Sequence, residues 1–307
     1  MGKSCSIREE IRKNIIRRKY YKDKIIPWLL FLAAFISILT SCGIVITLIY
    51  DASKFFKEIP LKEIFSTKLS PLGSDPSFGF MPLIMGTLVT SVIAMFTAIP
   101  IGLTAAIYLS EYASDKRRKA IKPVLEILAG IPTIVYGFFA YSFVTPILMK
   151  IIPNLGAKNA LSPGIVMGIM IIPLVASLSE DAMSSVPNSI REGALALGST
   201  KIETVIKVVV PAAISGIVSS FILAISRAVG ETMIVTIAGG SSKRFTFDIT
   251  QSMQTMTAYI VEFTSGDAGS GTVGYYSLYA VGLLLFIFTL LMNLWAKRIS
   301  RKFREVY

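Results

Sequence analysis

The run EGALALGSTKIETVIKVVVPAAI, residues 192–214, decides how the rest of the chain is read. Glu192 and Ala194 to Leu197 are strong helix formers, and Gly198 supplies the left-handed stop that ends many helices. The spacing predicts a helix of about two turns over 192–198, a length too short to be stable alone in water. It must therefore lie on something, and a short helix of small and apolar residues suits a groove on another protein. An interfacial loop with no partner is the bland alternative. Beyond it, Ile202, Val205, Ile206 and Val209 repeat at helical spacing up to Pro211, which suits a first-turn or kink position where a new apolar run begins.

Outward from this stretch the chain is dominated by apolar runs. Of its 307 residues 53% are hydrophobic and only 16% charged, and the mean hydropathy is +0.66. Such a balance belongs to a protein dissolved in lipid. A bilayer core about 30 Å thick takes roughly 20 apolar residues as helix, and six runs approach that length: 25–50, 81–110, 123–149, 163–179, 208–237 and 275–296. The expected fold class is an all-α membrane protein of six transmembrane helices. Its expected organisation is a basic tail at 1–24, a first span at 25–50, an extracytoplasmic loop at 51–80, and a five-helix core at 81–296. That core contains the cytoplasmic helix 192–198 and an outer loop at 238–274, and a second basic tail follows at 297–307.

Charge tests this layout. If six crossings alternate, the connections 1–26, 111–122, 181–207 and 297–307 share one side and hold 22 Lys and Arg, whereas 51–80, 150–162 and 238–274 share the other and hold 8. By the positive-inside rule both termini are expected in the cytoplasm of a multi-pass cell-membrane protein. The net charge of +12 is thus spent on topology, and no nucleic-acid partner is expected. The first run is too long to be a cleaved signal peptide.

Several chemistries are excluded. The chain has no histidine, so imidazole base catalysis, His ligation of a metal and a Ser-His-Asp triad are absent. Cys5 and Cys42 suggest neither a disulfide framework nor a metal site, and no cofactor is expected. Gly269-Ser-Gly-Thr-Val-Gly274 satisfies GxGxxG but lacks a preceding strand, and Gly193 to Thr200 has Ser199 where a phosphate loop needs Lys. The chain is therefore expected to be no enzyme and to have no ATPase site of its own. Ile249, Met253, Met256, Ile260 and Phe263 predict an amphipathic helix over 250–263 on the outer face, either lying on the membrane or serving in docking or gating.

Glu192-Gly-Ala194, Gly198 and Val208-x-Val210-Pro211 resemble the EAA signature of ABC importer permeases, with Gly193 replacing an Ala and Val208 and Val210 replacing Ile and Leu. The resemblance implies a type I ABC importer (MetI-like) permease fold. It also implies that Glu192, Gly193, Ala194, Gly198 and Pro211 couple the membrane helices to an ATPase. A narrower resemblance rests on Phe80-Met-Pro-Leu, Gly86-Thr-Leu, Ala106-Ile-Tyr-Leu-Ser-Glu-Tyr112, Leu128-Ala-Gly-Ile-Pro-Thr-Ile-Val-Tyr-Gly137, Ser177-Leu-Ser-Glu-Asp-Ala182 and Ser226-Arg-Ala-Val-Gly-Glu-Thr-Met233. These are similar to phosphate-specific importer permeases of the PstC type. That likeness implies a heterodimer with a PstA-like permease, a PstB-like ATPase dimer at the cytoplasmic face and a PstS-like phosphate-binding protein outside.

Arg227 and Glu231 are the candidate substrate-pathway residues. Four apart in the fifth run, they are expected on one helix face, and a charge within a bilayer costs at least ~2.5 kcal/mol. A guanidinium matches phosphate oxygens with a planar fork of donors, and Glu231 could orient it or accept a proton of hydrogen phosphate. An internal salt bridge that locks the helix is the structural alternative. Glu126, Glu180 and Asp181 are expected near the cytoplasmic face, where they snorkel, cap or pair with Arg117, Arg118 or Lys122 and only secondarily gate the exit path, and Gly164-x-x-x-Gly168 predicts close helix packing. Pro132 and Pro173 are expected to kink their helices. Alternating access for phosphate is the favoured function. Its rivals are another oxyanion (sulfate, molybdate, phosphonate), an ion-coupled carrier and a membrane enzyme.

Overall fold

In the computed structural model, residues 2–71, 76–267, 269 and 271–302 are described. The terminal residues 303–307, residues 72–75 of the first outer loop and Ser270 of the GxGxxG lookalike lie outside them, as do the side chains of 2–24 in the basic tail. Two compact units divide at Asp51. The first is the greater part of α1 (Gly2–Glu58), a continuous helix whose run 25–50 carries no charge.

The second unit begins with the last turns of α1, where Ala52 and Phe55 are buried. A two-residue antiparallel pair follows, β1 (Leu69–Ser70) with β2 (Ser77–Phe78). Its helices are α2 (Met81–Ile107, continued by a π turn at Tyr108–Tyr112), α3 (Asp115–Gly130) and α4 (Thr133–Ile151). Then come α5 (Leu161–Ser184), α6 (Asn188–Ala196), α7 (Lys201–Ala212), α8 (Ile214–Val229) and α9 (Met233–Ala238). The chain closes with α10 (Met256–Glu262) and α11 (Val273–Lys302). Among the described residues five helices are long and apolar enough to cross a membrane, and a sixth is supplied if the pair α7 and α8, bent by 71°, counts as one span.

The centre of the bundle is α5, in which 61% of the apolar window is buried, against no more than 28% in the other spans. Glycine makes this possible. A Cβ on Gly164 would lie 2.7 Å from Ile93 Cγ2, and one on Gly168 would lie 2.6 Å from Thr97 Cβ and 2.7 Å from the Ala94 carbonyl. From α2, a Cβ on Gly102 would meet Val175 at 2.8 Å. The contacts advance together along both helices, so α2 and α5 run in the same direction, as spans two and four of an alternating bundle must. Without a hydrophobic driving force between helices in lipid, such close approach is what holds them together.

Three expected helices take a different form. The third run does not cross as one helix from Pro123: the chain breaks at Ile131 and Pro132, because Pro132 caps the new helix at Thr133 instead of kinking an old one. The fifth run is broken twice. Ala213 is the elbow after Pro211, which sits in the first turn of its short helical segment, and a second break at Gly230–Thr232 separates α8 from α9. The outer amphipathic helix starts only at Met256. Residues 250–255 are held non-helical by Met253 N–H donating to the Gly239 carbonyl (3.1 Å) and Gln254 N–H donating to that of Ser242 (3.1 Å). That segment does not lie on the membrane surface: Met256, Thr257, Ala258 and Tyr259 are buried, and Tyr259 and Phe263 share a core with Phe55, Phe78 and Phe80.

Candidate functional site: a short exposed helix and a broken span

Helix α6 begins at Asn188, four residues before the expected start, and ends at Ala196 with Gly198 at φ +91°, a conformation that favours glycine. Nothing lies within 4 Å of a Cβ built on Gly193 or Gly198. Glu192, Gly193 and Gly198 are exposed and Ala194 half-buried, while Leu197 is 90% exposed at the tip. None of the helix is buried. A large apolar side chain held out at the end of a helix this short is suited to insertion into another surface.

What fixes α6 to the bundle is a residue that the sequence analysis did not single out. Arg191, immediately before Glu192, pairs with Glu111 in the π turn after α2 at 3.1 Å. Its guanidinium also donates to the carbonyls of Met183 (2.7 Å) and Val186 and to Asn188 Oδ1 (3.1 Å). Those carbonyls belong to the last turn of α5 and to the connection just after it, so one planar fork ties the short helix to spans two and four together. Downstream, Thr200 and Glu203 form a capping box that starts α7. The Thr-x-x-Glu spacing could have revealed the cap; nothing local to Arg191 announces its distant partner.

Next to this anchor, Glu180 is fully buried and paired with Arg118 and with Lys122 (2.6 Å), and Lys122 also reaches Asp181 (3.2 Å). The hydrogen bond to Glu180 holds the Lys122 ammonium above its usual pKa. The expected pairing of Glu180 and Asp181 with Arg118 and Lys122 is therefore present. Glu126 is different, for it has no ion-pair or hydrogen-bond partner among the described residues.

The expectation that Arg227 and Glu231 share one helix face is overturned. Arg227 occupies the last turn of α8, where the partial negative charge of the helix C-terminus favours a cation. Glu231 lies beyond the break, 8% exposed, and its Oε1 accepts from the N–H groups of Met233 (3.2 Å) and Ile234 (3.5 Å). The carboxylate thus caps the first turn of α9, where unsatisfied N–H groups and the positive helix end attract it. Thr257 Oγ1 donates to the Glu231 carbonyl at 2.7 Å, so the outer segment stitches the break from the other side. Irregular backbone at membrane depth is tolerated where it is buried in protein or lines a cavity.

A cavity lies beside the last turn of α8, at Arg227. About 210 Å³ opens between α3, α5 and Arg227, with Met170, Pro173 and Leu174 as its apolar wall and Lys122, Glu126, Ser177 and Arg227 as its polar lining. Arg227 has no hydrogen-bond or ion-pair partner among the described residues. An exposed guanidinium over a half-open cavity can offer two parallel N–H donors to an oxyanion. No group of three or more His, Cys, Asp or Glu able to hold a metal exists among the described residues.

Residues 98–305 match the family described as the binding-protein-dependent transport system inner membrane component, and the chain belongs to this family of ABC-transporter membrane subunits. It is 32% identical over 243 residues to the probable ABC transporter permease protein YqgH of Bacillus subtilis (strain 168), covering 79% of this chain and 78% of that protein. It is 33% identical over 263 residues to the phosphate transport system permease protein PstC of Xylella fastidiosa (strain 9a5c), covering 78% and 79% respectively. A crystal structure of a bacterial ABC transporter involved in the import of the acidic polysaccharide alginate covers 94% of this chain and 100% of its own. The TM-score is 0.65 at 16% identity, which shows the shared fold.

Proposed function

We propose that this permease moves inorganic phosphate inward by alternating access, driven by ATP hydrolysed on separate subunits. The observation that carries the reading is Arg227, unpaired at the end of a broken span and open to a cavity, in a chain whose relatives include proteins named as phosphate transport permeases. A lone fork of donors binds a tetrahedral oxyanion strongly enough to admit it and weakly enough to release it. Glu231 serves by capping α9 and keeping the break open rather than by pairing with Arg227.

The proposed assembly joins this chain to a PstA-like permease, a PstB-like ATPase dimer at the cytoplasmic face and a PstS-like binding protein outside. The excess of Lys and Arg in alternate connections supports cytoplasmic termini. The absence of a Lys in the glycine-punctuated run 193–200 supports a subunit without its own ATPase site. Closure of the ATPase pair pushes on Glu192, Gly193, Ala194 and Gly198, and Arg191 passes the movement to α2 and α5, while the elbow after Pro211 bends α7 against α8.

Reconstitution in liposomes with and without these partners, following labelled phosphate, tests the reading. Uptake should require the ATPase and ATP, and Arg227→Ala should reduce it by about tenfold or more, the loss expected of one charge-assisted bidentate contact. Uptake by the lone chain without nucleotide, or unchanged uptake by Arg227→Ala, would contradict it.

A further inference from the structure

Glu231 is the carboxylate that the sequence sets beside Arg227, and the structure brings a different one to the cavity. Glu231 is spent on the N–H groups of α9. Glu126 lines the cavity into which Arg227 opens. The neighbouring cations that could neutralise Glu126 are occupied: Lys122, one turn earlier on α3, holds Glu180 and Asp181, and Arg118 holds Glu180 and Ser184. Glu126 therefore faces the cavity as a carboxylate with no partner of its own among the described residues, across from a guanidinium that also has none.

We propose that Glu126 is the specificity residue of this cavity, accepting the O–H of hydrogen phosphate and thereby turning away sulfate. The inference rests on the phosphate reading given above. A tetrahedral oxyanion seated on the Arg227 fork has two oxygens left. Ser177 lines the same cavity, and its hydroxyl makes no hydrogen bond within the described residues, unlike Thr87, Thr90 and Thr97, which bond back to their own helix. That hydroxyl is free to donate to one oxygen. The last oxygen meets the carboxylate, which can only accept. Hydrogen phosphate brings an O–H and makes a charge-assisted hydrogen bond there. Sulfate brings a bare oxygen, and two negative acceptors facing each other repel. A volume of about 210 Å³ is many times the roughly 10–15 Å³ that one water needs by the same measure, so the carboxylate need not clash with its guest.

Glu126 is exposed, so its replacement leaves the fold intact. The test is equilibrium binding of labelled inorganic phosphate and labelled sulfate to the purified full chain in nanodiscs. The wild-type chain should prefer phosphate by about tenfold or more, and Glu126→Gln, whose amide can donate to sulfate, should bring the two anions within about threefold. Glu126→Asp, which keeps an acceptor, should restore most of the preference. An unchanged phosphate-to-sulfate ratio in Glu126→Gln would overturn the inference while leaving the phosphate reading standing. Phosphate binding that survives Arg227→Ala at full strength would overturn the anion site itself, and the role of Glu126 with it.

Discussion

The seam between α2 and α5 and the segment from α6 to α9 are built from similar residues, small ones and aliphatics, yet they behave as opposites. Along the seam, glycines remove the side chain so that backbones meet, and a Cβ at any of Gly102, Gly164 or Gly168 has a neighbour closer than 3.0 Å. Along the other segment, Gly193 and Gly198 have nothing near them, the path bends by 71° at Ala213, and α8 gives way to α9 at Gly230–Thr232. Gly216 of α8 also packs closely, for a Cβ there would collide with that of Ala182, so the opposition is between glycines that face a neighbouring helix and the two at α6 that face space. A transporter needs both, because a bundle without a rigid part transmits nothing and one without joints goes nowhere.

That contrast can be broken from either side. Gly168→Leu should have the largest effect on stability, because its Cβ would fall 2.7 Å from the Ala94 carbonyl and 2.6 Å from Thr97 Cβ. Overpacking of this kind costs about 1–3 kcal/mol or more, and the detergent-solubilised protein should show a much lowered Tm or fail to accumulate. Glu180→Ala comes next. It leaves Arg118 and Lys122 without their buried acceptor, and because both cations are partly exposed the cost should be about 2 kcal/mol, short of a fully buried pair; thermal unfolding of the variant measures it. Thr200→Ala removes the capping box of α7 and should cost about 1 kcal/mol by the same assay. Leu197→Asp sharpens the comparison at the other end. At 90% exposed it should change stability by no more than about 0.5 kcal/mol, yet phosphate uptake by the assembled importer should be largely lost. Equal loss of stability in Leu197→Asp and Gly168→Leu would erase the distinction between the two regions.

Much of the seam was legible in the sequence. Gly164-x-x-x-Gly168 announces close packing, and charge-free runs of membrane length give the spans their places. The glycine stop at 198 and the proline at 211 also stand where the sequence puts them. The breaks were less legible, since apolar runs look the same whether helical throughout or interrupted. At 230–232 the signal was present but weak: Gly230 permits an ending, and Glu231 followed by Thr232 resembles a cap. At 250–255 the helical spacing misled, because hydrogen bonds to Gly239 and Ser242 outweigh local propensity. Arg191 and Glu111 stand 80 positions apart, and no local pattern reveals a pair formed only when the helices pack. The cavity of Arg227 and Glu126 was hidden for the same reason, being made by three helices distant in sequence.

The central claim is that α6 is the lever by which a separate ATPase moves this bundle. It is tested most directly by placing a single cysteine at Leu197, with Cys5 and Cys42 replaced by serine, and cross-linking it in the assembled importer with and without ATP. Leu197→Cys should cross-link to the ATPase subunit, and closing that link should stop phosphate uptake. Labelling of the cysteine by water- or lipid-borne reagents alone, with no ATPase adduct at any stage of the cycle, would contradict the claim.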